Sequence, residues 1–149
     1  MTITVLLNWR RAELEAGAGE MLIDVLRREG LLSVRATCGI GMCGACTVLV
    51  DGEPLSGCLT LAAQVDGREI TTVEGLGGAD PVQRAFVEEH AFQCGWCTPG
   101  FVLTAKRLLE EHPDPTDEDI AEWLGGNLCR CGSYVKIARA VKRAAAEGV

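Results

Sequence analysis

The chain changes its pattern of hydrophobic and polar positions near its middle. Apolar and β-branched residues from Thr2 to Leu7, then alternating residues from Arg11 to Glu15, predict two strands joined by a turn at residues 8–10. The same signals predict strands over residues 46–50, 53–58 and 69–73, and helical spacing predicts one short helix over residues 21–28. The first half is therefore predicted to be mostly β.

The second half has helical periodicity. Glycines and an Asp-Pro pair between residues 75 and 81 indicate a boundary. Four amphipathic helices are predicted after it: residues 82–89, a helix capped by Thr98 and ending at His112, a helix capped by Thr116, and a helix capped by Ser133. The sequence thus predicts a domain over residues 1–75, a linker over 76–81 and a helical bundle over 82–149.

Composition narrows the classes of partner. The 149 residues carry a formal net charge of −7, and both halves are acidic, so we expect neither nucleic acid nor an anionic membrane surface as a partner. No apolar run approaches the roughly 18 residues of a membrane span, and Met1 to Leu7 lacks the basic start of a secretory signal. We therefore expect a cytoplasmic protein, in which eight cysteines indicate metal binding before disulfides.

The first group of cysteines has the C-x4-C-x2-C spacing of plant-type [2Fe–2S] sites: Cys38, Cys43 and Cys46, with Cys58 eleven residues further on. The interspersed Gly39, Gly41 and Gly44 permit the tight loop and expose N–H groups toward an anion. Together with the predicted strands, this motif predicts a ferredoxin-like β-grasp domain. A zinc site is the alternative, although zinc more often uses two close cysteine pairs.

The second group lies in the predicted bundle and comprises Cys94, Cys97, Cys129 and Cys131. Both pairs come just before predicted helix starts, which favour anions and lower thiol pKa values. Spacing alone predicts a metal site and leaves iron–sulfur and zinc both open. A thioredoxin-type pair at Cys94 and Cys97 would leave Cys129 and Cys131 without a role.

Three motifs resemble the iron–sulfur subunit of the molybdenum hydroxylases, the family of xanthine dehydrogenase, aldehyde oxidoreductase and bacterial carbon monoxide dehydrogenase. They are Cys38-Gly39-Ile40-Gly41-Met42-Cys43-Gly44-Ala45-Cys46-Thr47-Val48, Gln93-Cys94-Gly95-Trp96-Cys97-Thr98-Pro99-Gly100 and Gly126-Asn127-Leu128-Cys129-Arg130-Cys131-Gly132. The resemblance implies an α+β chain with a β-grasp [2Fe–2S] domain followed by a four-helix [2Fe–2S] domain. It implies that each group of four cysteines ligates one cluster, and that Gln93 and Cys131 lie near a molybdopterin.

The resemblance also implies a function. In the family, substrate is hydroxylated at molybdenum on a large subunit, and single electrons pass through the bundle cluster and then the ferredoxin-like cluster to FAD or an external acceptor. We therefore expect an electron-transfer subunit with no catalytic acid or base, within a cytoplasmic hetero-oligomer. Its partners would be a large subunit with molybdopterin, as the cytosine dinucleotide, and a medium subunit with FAD. The alternatives are a zinc-binding interaction module and a free-standing ferredoxin shuttle.

A few positions depart from the family's commoner residues. Trp96 stands where Phe or Tyr is more usual, and Gly132-Ser133-Tyr134 replaces the commoner Thr-Gly-Tyr. Thr37 before the first cysteine is also less usual. The apolar Ile40 and Met42 are expected to shield the first cluster or to contact a flavin subunit, and His90 and His112 are expected to be surface residues.

Overall fold

The computed structural model describes residues 1–148. Its N-terminal half is one five-stranded sheet with strand order β2-β1-β5-β3-β4 and a single α-helix. The strands are β1 (Thr2–Leu7), β2 (Arg10–Glu15), β3 (Thr47–Val50), β4 (Glu53–Ser56) and β5 (Glu69–Thr71), and the helix is α1 (Leu22–Arg28). Strands β1 and β5 are parallel and the other neighbouring pairs are antiparallel, which is the predicted β-grasp.

The C-terminal half is the predicted set of four helices. They are α2 (Pro81–Glu88), α3 (Thr98–Glu111), α4 (Asp117–Leu124) and α5 (Tyr134–Glu147). Asp80 caps α2 by accepting a hydrogen bond from the Val82 N–H, and Pro81 occupies the first helical position. The α+β fold expected from the sequence is confirmed.

Two predicted caps are wrong. The backbone at Cys97 is already helical (φ −83°, ψ −14°), so α3 begins at Thr98, and no side chain caps its start. Ser133 does precede α5, but its ψ of 13° is not the extended conformation that lets a hydroxyl bond back to the first turn, and it makes no capping bond. Neither hydroxyl therefore makes the helix-capping hydrogen bond that the sequence predicts.

The predicted Thr116 cap is confirmed. Its hydroxyl accepts a hydrogen bond from the Asp119 N–H while the Asp119 carboxylate accepts one from the Thr116 N–H, which is a complete capping box. The acidic residues of this first turn are also favoured by the helix dipole.

Each half has its own hydrophobic core. The first core includes Ile3, Leu22 and Val48, and the second includes Phe86, Phe101 and Ile137. The short 3₁₀ segment Val73–Leu76 contributes partly buried Val73 and Leu76 to the second core, so the chain reaches the bundle before α2 begins.

Candidate electron-transfer site

The first cysteine loop has the conformation that its glycines permit. Gly39, Gly41 and Gly44 have φ values of +69°, +75° and +67°, a region that side chains disfavour. The loop turns its backbone N–H groups toward sulfur: those of Ile40 and Cys43 lower the pKa of Cys38 to about 6. The loop therefore stabilises thiolate charge before any ligand is considered.

The other two cysteines of the first group lie deeper. Cys46 and Cys58 are both buried, and burial raises the pKa of Cys46 to about 11. Without a ligand, the protonated thiol is the stable form at this buried position. A bound metal ion would displace the proton and compensate the charge of the thiolate. None of the eight cysteines is in a disulfide.

The thiols of each group make pairwise contacts. The thiols of a pair lie close enough to influence each other's pKa: Cys43 acts on Cys38, Cys58 acts on Cys46, and, in the second group, Cys129 acts on Cys97. In residues 1–148 no three His, Cys, Asp or Glu side chains are grouped so as to hold one metal ion. Pairs of thiols fit a cluster in which two irons share four thiolates.

The second cysteine group lies where α3 and α5 start. Burial raises the pKa of Cys97 to about 12. Burial also acts to raise the pKa of Cys129, but the hydrogen bond from the Ser133 N–H, together with the neighbouring Ser133, Cys97 and Cys131, outweighs it and lowers that pKa. Cys94 is exposed and Cys131 is half-buried, so this group reaches the surface on one side.

Two hydroxyl groups beside the second group have no partner. The Oγ1 of Thr98 and the Oγ of Ser133 are buried and make no hydrogen bond among residues 1–148. A buried unpaired hydroxyl costs about 1–3 kcal/mol, and a sulfur-rich anion would accept both protons. The residues present therefore fit a [2Fe–2S] cluster at this site as well as at the first.

The two cysteine loops contact each other directly. The Leu128 N–H, next to Cys129, donates to the Cys43 carbonyl at 2.9 Å. The Trp96 Nε1 donates to the Thr37 Oγ1 at 2.8 Å, and the Arg35 guanidinium lies over the Trp96 ring, 4.8 Å from its centroid. A cavity of about 420 Å³ between the loops is lined by residues of both groups, including Cys43, Cys94, Cys97 and Cys129.

A buried amide anchors this junction. The Asn127 Nδ2 donates to the Gly44 carbonyl at 3.2 Å, and its Oδ1 lies 3.1 Å from the Thr104 hydroxyl. A Cβ on Gly100 would lie 2.2 Å from that Gly44 carbonyl oxygen, so α3 packs directly on the first loop. The contacts of Asn127 and the Trp96–Thr37 bond are not apparent from the sequence, because neither motif shows which residue of the other motif it meets.

The remaining predicted residues have simpler surroundings. Gln93 is exposed, and its Nε2 reaches the Cys131 carbonyl at 3.5 Å. His90 and His112 are exposed, as expected. Of the basic residues of α5, Lys142 pairs with Asp117, and Arg143 pairs with Glu88 and Glu89.

Comparison with known proteins supports the same assignment. Residues 5–74 match the 2Fe-2S iron-sulfur cluster binding domain family, and residues 72–142 match the [2Fe-2S] binding domain family. The chain is 50% identical to the nicotine 6-hydroxylase small subunit of Paenarthrobacter nicotinovorans, over 93% of this chain and 86% of that one. It belongs to the iron–sulfur subunits of the molybdenum hydroxylases. As such a subunit it binds two [2Fe–2S] clusters and transfers electrons for a large molybdenum-binding subunit; substrate chemistry does not take place on this chain.

Two more similarities cover nearly the whole subunit. The nicotinate dehydrogenase small FeS subunit of Eubacterium barkeri is 46% identical over 97% of this chain and 94% of its own length. The structure of quinoline 2-oxidoreductase from Pseudomonas putida 86 superposes with a TM-score of 0.94 at 40% identity, covering 99% of this chain and 94% of the matched chain. The zinc-module and free-shuttle alternatives are therefore not favoured. Among residues 1–148, no helix is both long and apolar enough to cross a membrane.

Proposed function

We propose that the two clusters are ligated by the two cysteine groups as the sequence predicts. Cys38, Cys43, Cys46 and Cys58 bind the first cluster, and Cys94, Cys97, Cys129 and Cys131 bind the second. The thiol pairs Cys38–Cys43, Cys46–Cys58 and Cys97–Cys129 support this assignment, with two thiolates for each iron. Bound [2Fe–2S] clusters supply one-electron transfer.

The residues of this chain hold and shield the two sites. Backbone N–H groups around Cys38 offset thiolate charge, and the buried Cys46 and Cys58 exclude water from the sheet side of the first site. The observation that carries the proposed route is the 2.9 Å hydrogen bond from the Leu128 N–H to the Cys43 carbonyl, because it joins a ligand of one group to the neighbour of a ligand in the other.

We propose the direction of transfer that the resemblance to the family implies, with the exposed face of the second group as the entry point. Gln93 and Cys94 are exposed at the second group, and the Gln93 amide lies 3.5 Å from the Cys131 carbonyl. We assign this face to the large subunit, with Gln93 and Cys131 beside its molybdopterin, as the cytosine dinucleotide. Electrons thus enter at the second group and leave at the first.

Metal analysis and spectroscopy of the purified complex test the ligand assignment. We expect about four irons and four sulfides per iron–sulfur chain and two distinct signals in low-temperature EPR of the reduced protein. Cys46→Ser should abolish one signal and Cys129→Ser the other. Two irons with zinc in the second site would contradict the proposal.

We further propose that a medium FAD-bearing subunit takes the electrons at an apolar patch beside the first cluster. Ile40, Met42 and Leu59 are 63%, 64% and 58% exposed; the first two lie within the first cysteine loop, and Leu59 directly follows Cys58. Apolar side chains this exposed are typical of surfaces that a partner covers. Met42→Glu should therefore weaken complex assembly and flavin reduction, whereas Leu32→Glu, at a 52% exposed residue after α1, should not. Unchanged assembly and flavin reduction in Met42→Glu would contradict the proposal that this patch contacts the FAD-bearing subunit.

We propose the domain limits that the sequence predicts, 1–75, a linker over 76–81, and 82–149, although Val73 and Leu76 already pack against the second core. The exposed Gly77 and Gly78 and the two separate cores support them. Limited proteolysis should cut first within 76–81; first cleavage inside either core would contradict these limits. We also propose the cytoplasmic location that the sequence predicts, which fractionation of the source cells tests.

A further inference from the structure

Two 14-residue helices start beside the second cysteine group, and each begins with a hydroxyl residue. Thr98 directly follows Cys97 at the start of α3, and Ser133 follows Cys131 by two residues at the start of α5. Neither hydroxyl caps its helix. Both oxygen atoms are buried, and in the described part of the chain neither has a hydrogen-bond partner.

Ser133 is the more constrained of the two. The residue is only 5% exposed, and its N–H donates to the Cys129 sulfur at 3.4 Å. Its hydroxyl lies beside the same sulfur but completes no hydrogen bond there. Because a hydroxyl can rotate about its C–O bond, its proton can reach any acceptor in that space.

Sulfur atoms of proposed ligands lie close to both hydroxyls along the chain. Cys129 and Cys131 flank Ser133, and Cys97 precedes Thr98, so each hydroxyl lies next to a proposed ligand. A buried hydroxyl that stays unpaired costs about 1–3 kcal/mol.

We propose that the Ser133 hydroxyl, assisted by the Thr98 hydroxyl from the facing helix start, donates a hydrogen bond to a sulfur of the second cluster and raises that cluster's reduction potential. Both are positioning residues, because they would stabilise negative charge on a cluster sulfur without being ligands. Reduction adds one electron and so one negative charge, and a donor to sulfur stabilises the more negative state. The inference rests on the proposed ligand assignment.

The test compares variants that remove or keep the hydroxyl. Ser133→Ala removes it at nearly constant volume, Ser133→Thr keeps it, and Thr98→Val removes the second hydroxyl. Thr116→Ala is the matched control, because it removes a helix-start hydroxyl whose partner is a backbone N–H of α4. Each complex is first analysed for iron and sulfide and then titrated potentiometrically with EPR detection of both signals.

We expect Ser133→Ala to shift the midpoint potential of one EPR signal downward and to leave the other unchanged. Thr98→Val should shift the same signal downward by a smaller amount, and Ser133→Thr should restore it. Resonance Raman bands of the iron–sulfur stretches should shift in deuterated buffer for the native protein, and part of that shift should be lost in Ser133→Ala.

Unchanged potentials and an unchanged deuterium shift in Ser133→Ala, with four irons still bound, would overturn this inference while leaving the proposed function intact. A loss of the second cluster in Ser133→Ala but not in Ser133→Thr would support it, because only the hydroxyl differs in kind. Absence of iron at the second site of the native protein would instead contradict the proposed function.

Discussion

Gly44 of the first cysteine loop lies in close contact with the second half of the molecule. Its φ of +67° already disfavours a side chain, and a Cβ there would lie 2.4 Å from the Asn127 Nδ2 and 2.6 Å from the Gly126 carbonyl oxygen. Its own carbonyl accepts bonds from the Thr47 hydroxyl and the Asn127 amide. A glycine in the cysteine motif therefore serves the contact between domains as well as the loop.

Gly44→Ala should be strongly destabilising. The left-handed backbone costs about 1–2 kcal/mol, and the overlap with Asn127 adds on the order of 1–3 kcal/mol. Gly67→Ala is the control, because Gly67 has a φ of +75° but open space around its Cβ position. Urea unfolding followed by circular dichroism should show a clearly larger loss of unfolding free energy for Gly44→Ala than for Gly67→Ala. Equal losses would mean that the contact with Asn127 rearranges at no cost.

Glu74 connects the 3₁₀ segment to the chain that leads into the first cysteine loop. Burial acts to raise the pKa of this carboxyl, but bonds from the Ser33 and Thr72 hydroxyls and the Ser33 N–H outweigh it and lower the pKa below 4.5. Since the folded pKa is depressed, the stabilisation is complete above 4.5 and is lost as pH falls through the folded pKa.

Glu74→Gln should reduce the free energy of unfolding by about 1 kcal/mol at neutral pH, discounted for solvent screening. The difference from the native protein should shrink as the pH falls below 4.5. Urea titrations at several pH values measure this, with Glu29→Gln as a control on the end of α1. A difference that stays constant with pH would show that packing, not charge, is involved.

At the scale of elements, two helices that look alike in sequence start differently. Thr116 and Ser133 both precede a helix, yet only Thr116 makes the capping box. The backbone decides this: Thr116 is extended at ψ 168°, whereas Ser133 has a ψ of 13°.

Thr116→Ala should therefore cost about 1 kcal/mol of stability, because α4 loses the acceptor for the Asp119 N–H. Thermal unfolding of the complex measures this loss, and an unchanged melting temperature in Thr116→Ala would contradict a stabilising cap at this helix.

At the scale of the molecule, hydrogen bonds at the cysteine loops and an ion pair further away hold the two domains in contact. The Trp96–Thr37 bond and the Leu128–Cys43 bond lie at the loops, and Arg107 of α3 pairs with Glu53 of β4 at 2.6 Å. These contacts fix how the two electron-transfer sites face each other.

Trp96→Phe should weaken the contact between the two cysteine loops while an aromatic ring still fills the position. The phenyl ring can still lie under Arg35, but the indole N–H to Thr37 is lost, which removes about 1 kcal/mol and should speed local opening about fivefold. Hydrogen–deuterium exchange should rise in residues 36–46 and 93–98. Trp9→Phe is the control, since Trp9 donates its indole N–H to Gly75, outside both cysteine loops. Equal exchange in the two variants would show that the Trp96 bond does not hold the loops.

The sequence by itself determined the strands, the four C-terminal helices and the two cysteine motifs. The reason is local: periodicity reports which face of an element is buried, and ligand spacing within one loop fixes what that loop can bind. The positive φ values at Gly39, Gly41 and Gly44 follow from the same local demand.

Only the tertiary structure decided how the motifs meet. Asn127 contacts Gly44 across 83 positions, and Trp96 contacts Thr37 across 59. Such contacts depend on how the two cores pack against each other, and the hydrophobic periodicity of the sequence does not report that packing. The same packing leaves the hydroxyls of Thr98 and Ser133 buried beside the second cysteine group and not capping their helices, because the backbone there follows the cysteine loops.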